Sequence, residues 1–220
     1  MSNRLIFLKP IQLKTLALLL IVGCGYANAA VDKVTSSTQL TLDTPSRAYP
    51  IETLLDVGIP TLNDGLYLTD DNDTVFPEVR YAEAIYFSNQ LGKVLEKSGA
   101  WGAIRVTPTS EVIMDLYISG TIYQSDGETM DLEIIATDSS GKQWFSKRYK
   151  QNTGKYAYDR RLKSLGDPFQ NLFIRIANDL LNYREKKISD QRAEELRTIS
   201  ELRFAKQFSP EAFDNYINEN

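Results

Sequence analysis

The sequence predicts an α+β fold, in which a mixed, mainly antiparallel sheet of about four to five strands is covered by a central helix and by C-terminal helices. Three observations predict this class. A stretch with helical spacing of apolar residues ends at Gly99, two alternating segments joined by an Asp-Gly turn follow it, and a second helical pattern comes after them. A sheet that alternates apolar and polar residues has one face to bury, and helices can cover that face.

The central helix is bounded by Pro77 and Gly99. Proline disfavours helical geometry in the residue before it, so the helix begins after Phe76. The Ser98-Gly99 pair is a stop signal, because glycine adopts the left-handed conformation at no steric cost. Apolar or small residues at mostly helical spacing predict one core-facing side. They are Val79, Ala82, Ile85, Tyr86, Leu91, Val94 and Leu95.

Three consecutive strands are predicted to form an antiparallel meander. Residues 115–123 and the segment after the turn at 125–127 alternate cleanly, and a second turn at 138–141 leads into a strand over 143–149. We expect four inward-facing strand residues to be buried against two pairs of helix residues. These sets are Leu116, Ile118, Leu132 and Ile134 on the strands, with Leu91, Leu95, Phe173 and Ile176 on the helices.

Two shorter strands are predicted before the meander. One covers residues 101–106, which are rich in β-forming side chains. The other lies within residues 49–64, where Gly58 and Pro60 indicate a bulge or bend in a buried strand.

The C-terminal part of the chain is predicted to be helical. Asp167-Pro168 is a helix start, with an apolar stripe after it that includes Phe173 and Ile176. Residues 184–203 are charge-dense, and this helix is either packed on the domain edge or offered to a partner. Ser209-Pro210 begins a last short helix. We therefore predict an α/β domain over 48–187 and C-terminal charged helices over 188–220.

The first 29 residues predict a signal peptide. Arg4, Lys9 and Lys14 form a positive region, and an apolar core too short to span a bilayer follows it. Two cleavage sites compete. Residues 27–29, Ala-Asn-Ala, suit ordinary signal peptidase, whereas residues 21–24, Ile-Val-Gly-Cys, resemble the bacterial lipobox.

Cys24 is the single cysteine of the 220-residue chain, which favours lipidation at this residue. Cys24 is followed by Gly25 rather than by an aspartate, and in this respect the sequence resembles lipoproteins that are sorted to the outer membrane. We expect a periplasmic protein anchored to the inner leaflet of the outer membrane, with a soluble periplasmic form as the alternative. Residues 30–47 are polar and are predicted to be a flexible tether.

The composition excludes several kinds of catalysis. The chain has no histidine, which removes Ser-His-Asp and Cys-His mechanisms and the commonest zinc ligand. No glycine-rich phosphate-binding loop is present. A hydrolase that uses two carboxylates stays open as the least-favoured alternative. We expect no catalytic residue, no cofactor and no metal, and the net charge of −4 gives no general attraction to nucleic acid.

Charge is segregated along the chain. Residues 52–78 carry acidic side chains and no Lys or Arg, whereas residues 142–163 interleave basic and aromatic side chains. We predict a contact patch for an oppositely charged partner in the second stretch. Its members are Lys147, Arg148, Tyr156, Tyr158, Arg160 and Arg161. The alternative is an edge strand guarded by lysines and followed by a loop.

Two segments carry a resemblance to known families. Residues 80–101 read as a helix followed by Ser-Gly-Ala-Trp, and residues 115–120, Asp-Leu-Tyr-Ile-Ser-Gly, lead into the hairpin. This order resembles the small α/β domain found in three families. They are the Tol translocation protein, where it is the amino-terminal domain, the penicillin-binding-protein activator lipoproteins and the curli-secretion lipoproteins. The resemblance covers about residues 48–185 and implies the fold; no functional residue is carried over.

These observations lead to one expected function and one principal alternative. We expect an exported, non-catalytic envelope lipoprotein that acts as a protein-binding accessory or assembly factor, with an envelope protein as its partner. The alternative is a binding module for an anionic polymer, glycan or lipid through the basic, aromatic-rich stretch. The sequence gives no indication of the oligomeric state.

Overall fold

The computed structural model describes residues 31–34, 40–69, 75–153 and 167–213. The predicted signal peptide, with the predicted lipidation site Cys24, lies outside these residues. Within the described ranges, no helix has the length and apolar character needed to cross a membrane.

Within the described residues, the sheet has six strands in the order β1-β6-β5-β4-β2-β3. Their bounds are Val31–Val34, Val57–Pro60, Ile104–Thr107, Leu116–Ser125, Thr129–Asp138 and Gln143–Asn152, for β1 to β6. The long strands β4, β5 and β6 form the antiparallel meander, whereas β2 pairs in parallel with β3 and β4, and β1 pairs in parallel with β6. The predicted α+β class with a mixed, mainly antiparallel sheet is confirmed, with β1 as an additional edge strand.

In the part of the chain that the structure describes, four α-helices accompany the sheet, and two short 3-10 helices cover Ile51–Thr53 and Leu66–Leu68. The α-helices are α1 (Pro77–Ser98), α2 (Gln170–Lys187), α3 (Asp190–Phe208) and α4 (Pro210–Phe213). Helices α1 and α2 contact each other and the sheet. The predicted ends of α1 are confirmed, since Gly99 has a positive φ of 65° and caps the helix through its N–H.

The core is built as the alternation predicts. Leu116, Ile118, Leu132 and Ile134 are fully buried, and they share one apolar cluster with Leu91, Leu95, Phe173 and Ile176. The hairpin turns are also confirmed, because Gly127 and Gly141 have φ angles of 82° and 85° that favour glycine.

The predicted core face of α1 is wrong in the first half of the helix. Val79, Ile85 and Tyr86 are 55%, 38% and 46% exposed, and Ala82 is exposed as well. The positions that face the core there are Arg80, Ala84, Phe87 and Ser88. This face continues smoothly into Leu91 and Leu95, so the apolar residues of the first half lie on the flanks of the helix.

Polar residues can occupy this buried face because hydrogen bonds satisfy them. The Ser88 hydroxyl donates to the Ala84 carbonyl at 3.0 Å and accepts from the Leu62 N–H at 3.1 Å. Hydropathy alone assigns such a residue to solvent, and this is the physical reason for the error.

The flexible tether predicted over residues 30–47 is bound to the domain at residues 40–46. The backbone N–H groups of Leu40, Asp43 and Ser46 donate to side chains of α2 at 2.8, 2.9 and 2.8 Å. The acceptors are Asn171, Asn178 and Glu185. These bonds lay residues 40–46 along α2, and β1 places residues 31–34 in the sheet.

Helix α3 packs on the domain edge, the first of its two predicted placements. Ala193, Leu196 and Ser200 are buried, and the Ser139 hydroxyl donates to the Leu196 carbonyl at 2.6 Å. Beyond Ser200 the helix is more exposed, and Leu202, Phe204 and Phe208 are 45%, 54% and 73% exposed.

Candidate binding surface

The structure separates the two described members of the predicted basic patch. Successive residues of a strand point to opposite faces, and Lys147 and Arg148 are consecutive in β6. The Lys147 ammonium pairs with Asp179 of α2 at 2.9 Å, on the helix-covered side. Arg148 lies on the other face, where its guanidinium covers the Tyr123 ring at 3.9 Å. Consequently these two residues do not form one contact surface.

Arg148 is also engaged by a carboxylate. Its Nε and Nη2 donate to the two oxygens of Asp131 at 2.6 and 3.1 Å, and Lys150 pairs with the same carboxylate at 3.1 Å. The hydrogen bond to Asp131 raises the pKa of Arg148. The remaining predicted members, Tyr156, Tyr158, Arg160 and Arg161, lie outside the described residues, so the patch as a whole stays a prediction.

A groove of about 700 Å³ lies between the first turns of α1 and the β4–β5 hairpin. This volume is in the range of sites that bind small molecules or peptide side chains. We call it the hairpin groove. It is lined by Thr69, Val75, Phe76, Val79, Arg80 and Glu83 on one side and by Tyr123, Gln124, Ser125 and Asp126 on the other.

Buried polar contacts hold the two walls of the hairpin groove together. Arg80, only 4% exposed, pairs through Nε with Glu83 at 3.3 Å. Its other nitrogens donate to the carbonyls of Asp64 at 3.3 Å and Ser125 at 3.5 Å. The Ser125 hydroxyl in turn donates to Glu83 at 2.7 Å. The groove is therefore held in one shape by contacts between α1 and the hairpin.

Asp126 keeps a negative charge at the hairpin end of the groove. Burial raises the pKa of its carboxyl, but hydrogen bonds from the Thr129 N–H, the Gln124 amide and the Glu128 N–H outweigh burial and lower it. The Thr129 N–H lies 2.7 Å from Oδ1, and the Gln124 amide lies 2.7 Å from Oδ2.

Large apolar side chains are exposed beside this groove. Phe76 and Val79 line it and are 64% and 55% exposed. Tyr67 and Leu68, on the short helix that ends next to Thr69, are 72% and 42% exposed. We call these four residues the apolar rim. Single exposed apolar residues are normal, but a group of them near one groove is typical of an interaction site.

Sequence reasoning missed the apolar rim because it assigned Val79 to the core. A usable signal was present. The first half of α1 carries two apolar stripes, one through positions 79, 82 and 86 and another through 84, 87 and 91. A helix on the surface of a domain can turn only one stripe to the sheet, so the second stripe was available for another role.

Burial raises the pKa of the Asp115 carboxyl above its usual value, and hydrogen bonds from Ser200 and Asp56 offset only part of this effect. It is 4% exposed, accepts from the Asp56 N–H at 2.7 Å, and accepts a short hydrogen bond from the Ser200 hydroxyl. The two carboxylate oxygens of Asp115 therefore connect the start of β4 with two other segments. Oδ2 contacts Asp56, which precedes β2, and Oδ1 contacts Ser200 of α3. Within the described ranges, no group of three or more His, Cys, Asp or Glu side chains could hold a metal ion.

Comparisons with known proteins give little similarity. No protein-family model matches the chain, and no curated protein matches it. A solved structure, the hypothetical protein CT253 from Chlamydia trachomatis, is similar at 14% identity and a TM-score of 0.37, with 58% of this chain and 96% of that chain covered. A likeness at this level carries no argument about fold or function. The resemblance to envelope assembly lipoproteins accordingly stays a prediction.

Proposed function

We propose that this protein is an exported, non-catalytic envelope lipoprotein that acts as a protein-binding accessory or assembly factor. The observation that carries this proposal is the apolar rim around the hairpin groove. Four large apolar side chains are exposed to water near this one groove, and such a surface gains free energy when a partner covers it.

The chemistry of the groove favours a polypeptide partner. Glu83 and Asp126 place two carboxylates at the walls, and the charge of Arg80 is engaged by Glu83 and by two carbonyls. The best-suited ligand therefore presents apolar side chains to Phe76 and Val79, with basic groups facing the acidic wall. Complementary charge of this kind speeds association and selects the partner.

Site-specific photo-crosslinking tests this proposal. A photoreactive amino acid is placed in the apolar rim at Tyr67 or Val79, and as a matched control at Lys97, which is exposed near the other end of α1. We expect one and the same protein to be crosslinked in cells from both rim positions and not from position 97. Crosslinking to lipid alone, or equal yields from all three positions, would contradict the proposal.

The export part of the proposal has its own test. We predict that the mature protein begins at a diacylated Cys24, on the evidence of the lipobox at residues 21–24. Mass spectrometry of the mature N-terminus measures this directly. A soluble product that begins at Ala30 would show that the signal peptide is removed at the Ala-Asn-Ala site instead.

A further inference from the structure

A cluster of lysine and aromatic side chains lies where the end of α2 packs over the start of β6. These side chains line a shallow cleft of about 240 Å³. We call the cluster the lysine patch, and its members are Phe145, Lys147, Tyr183, Lys186 and Lys187. The cleft is smaller than most sites that enclose a whole small molecule, so it suits a charged group that approaches from one side.

The lysine patch presents net positive charge to solvent. Lys147 pairs with Asp179 at 2.9 Å, so these two charges balance each other. Lys186 and Lys187 are exposed, and neither forms an ion pair with another described residue. The next carboxylate along α2, Glu185, accepts from the Ser46 N–H at 2.8 Å, on the side of the helix that residues 40–46 cover. Two lysine charges are therefore available to an anionic partner.

The aromatic members of the patch are held in place by packing. The Tyr183 ring stacks on Trp144 with centroids 5.0 Å apart, and it contacts the Phe145 ring at 6.2 Å. Phe145 and Tyr183 are half-buried beside the exposed lysines. Tyrosine is enriched where proteins meet lipid headgroups, because it has an apolar ring and a polar end. Lysine side chains can rest on apolar surface and still place their ammonium groups among headgroups.

The patch lies at the end of the sheet from which the N-terminal part of the chain enters. Strands β1 and β6 are parallel and Val31 is paired with Arg148, so the chain enters β1 from the end at which β6 starts. Cys24 precedes Val31 by seven positions, which span at most about 25 Å in an extended chain. A lipid on Cys24 would therefore hold the lysine patch close to the membrane.

The hairpin groove lies at the opposite end of the sheet. The β4–β5 hairpin leads into Thr129, which is paired with Asn152 at the far end of β6 from Phe145. Phe145 and Asn152 are seven positions apart in one strand, which corresponds to about 23 Å at a rise of about 3.3 Å per residue. The lysine patch and the groove therefore face away from each other along the strands.

We propose that the lysine patch binds anionic phospholipid headgroups of the leaflet that holds the lipid anchor, so that the hairpin groove is turned away from the membrane. This inference rests on the lipidation of Cys24 in the proposed function and adds a fixed orientation to it. An anionic membrane surface attracts lysines only within about a Debye length, and the anchor keeps the patch in that range. A groove turned away from the bilayer stays open to a protein partner.

Fluorescence quenching by lipids tests this orientation. The acylated protein is reconstituted in vesicles that contain phosphatidylglycerol and a lipid with a quencher on its headgroup. A fluorophore is attached to a cysteine introduced at Asn182 in the cleft or, as the control, at Glu128, which is exposed in the hairpin. We expect strong quenching at 182 and little at 128, and the quenching at 182 should be lost at high salt and in vesicles of phosphatidylcholine. Equal quenching at both positions, or quenching at 182 that is the same in phosphatidylcholine, would overturn the proposal.

Two double variants locate the charge that is responsible. Lys186→Gln/Lys187→Gln should reduce the quenching at position 182 about twofold or more, because each lysine near an anionic surface adds to the attraction. Lys93→Gln/Arg105→Gln is the matched control, since it removes two exposed cations on α1 and on β3, the opposite edge of the sheet from β1. Equal losses in the two variants would contradict the proposal.

The same samples separate this inference from the lipid anchor on which it rests. Mass spectrometry shows whether the protein carries acyl chains at Cys24 before it is reconstituted. A mature protein without acyl chains would overturn the anchor and this inference together. An acylated protein that is not quenched at position 182 in anionic vesicles would overturn this inference alone.

Discussion

Both halves of α1 carry apolar residues, but they use them differently. In the second half Leu91, Val94 and Leu95 are at most 2% exposed and face the core. In the first half Val79 and Tyr86 are exposed, and Arg80 and Ser88 take the core-facing positions. The difference shows that the buried face of a helix is set by what lies opposite it. Apolar side chains that miss this face are then available for a partner.

The largest expected difference between the halves is in stability. Leu95→Ala should lower the free energy of unfolding by roughly 2 to 5 kcal/mol, because it leaves a cavity in the core. Val79→Ala, at a 55% exposed position, should change it by no more than about 0.5 kcal/mol. Chemical denaturation measures both. Similar losses for the two variants would mean that Val79 also belongs to the core.

A smaller loss of stability is expected when Arg80, the buried cation in the first half of α1, is replaced. Arg80→Ala removes an ion pair and the donors for the Asp64 and Ser125 carbonyls, and it should cost about 1 to 3 kcal/mol. Arg105→Ala, at an exposed position of β3, is the matched control and should cost less than about 0.5 kcal/mol. An Arg80 variant as stable as the control would show that the groove walls do not depend on this residue.

The end of the sheet opposite the groove is expected to differ in its response to pH. Burial raises the pKa of Asp115 above its usual 3.8. At pH values between 3.8 and the raised pKa, the folded state therefore holds a proton that the unfolded state has lost. The free energy of unfolding of the wild type, measured relative to that of Asp115→Asn, should be highest below pH 3.8. It should fall as pH rises through the raised pKa. The asparagine can still accept from Asp56 N–H and can donate to Ser200, which itself donates to the Arg197 carbonyl at 2.8 Å.

Asp126, at the groove end, supplies the control for this pH dependence. Its pKa is lowered, so its contribution to stability is complete above pH 3.8 and is lost only as pH falls through the lowered value. Denaturation of Asp126→Asn between pH 5 and 8 should therefore run parallel to the wild type. Two results would contradict these pKa directions. One is a difference in free energy of unfolding between wild type and Asp126→Asn that falls as pH rises, and the other is a difference for Asp115→Asn that does not change with pH.

The sequence predicted the parts of this molecule that depend on regular patterns. The meander strands, the α1 boundaries and the stripe of α2 follow from alternation, turn residues and helical spacing. Buried polar residues such as Arg80 and Ser88 were missed, because their burial depends on carbonyls that only the tertiary structure brings near. The separation of Lys147 from Arg148 follows from strand alternation and could have been predicted. For the apolar rim the sequence offers only a partial signal, the second apolar stripe of α1, because the tertiary structure decides which of the two stripes faces the sheet.

The central claim is that the apolar rim binds a protein, and one comparison of binding with stability tests it most directly. Phe76→Ser/Val79→Ser should leave the free energy of unfolding within about 1 kcal/mol of the wild type, because both side chains already contact water. The same double variant should reduce capture of the protein crosslinked from Tyr67 and Val79 by at least about tenfold, since buried apolar anchors dominate such interfaces. Glu96→Ser/Lys97→Ser, at exposed positions of the other half, should leave capture unchanged. Undiminished capture by the folded rim variant would contradict the account.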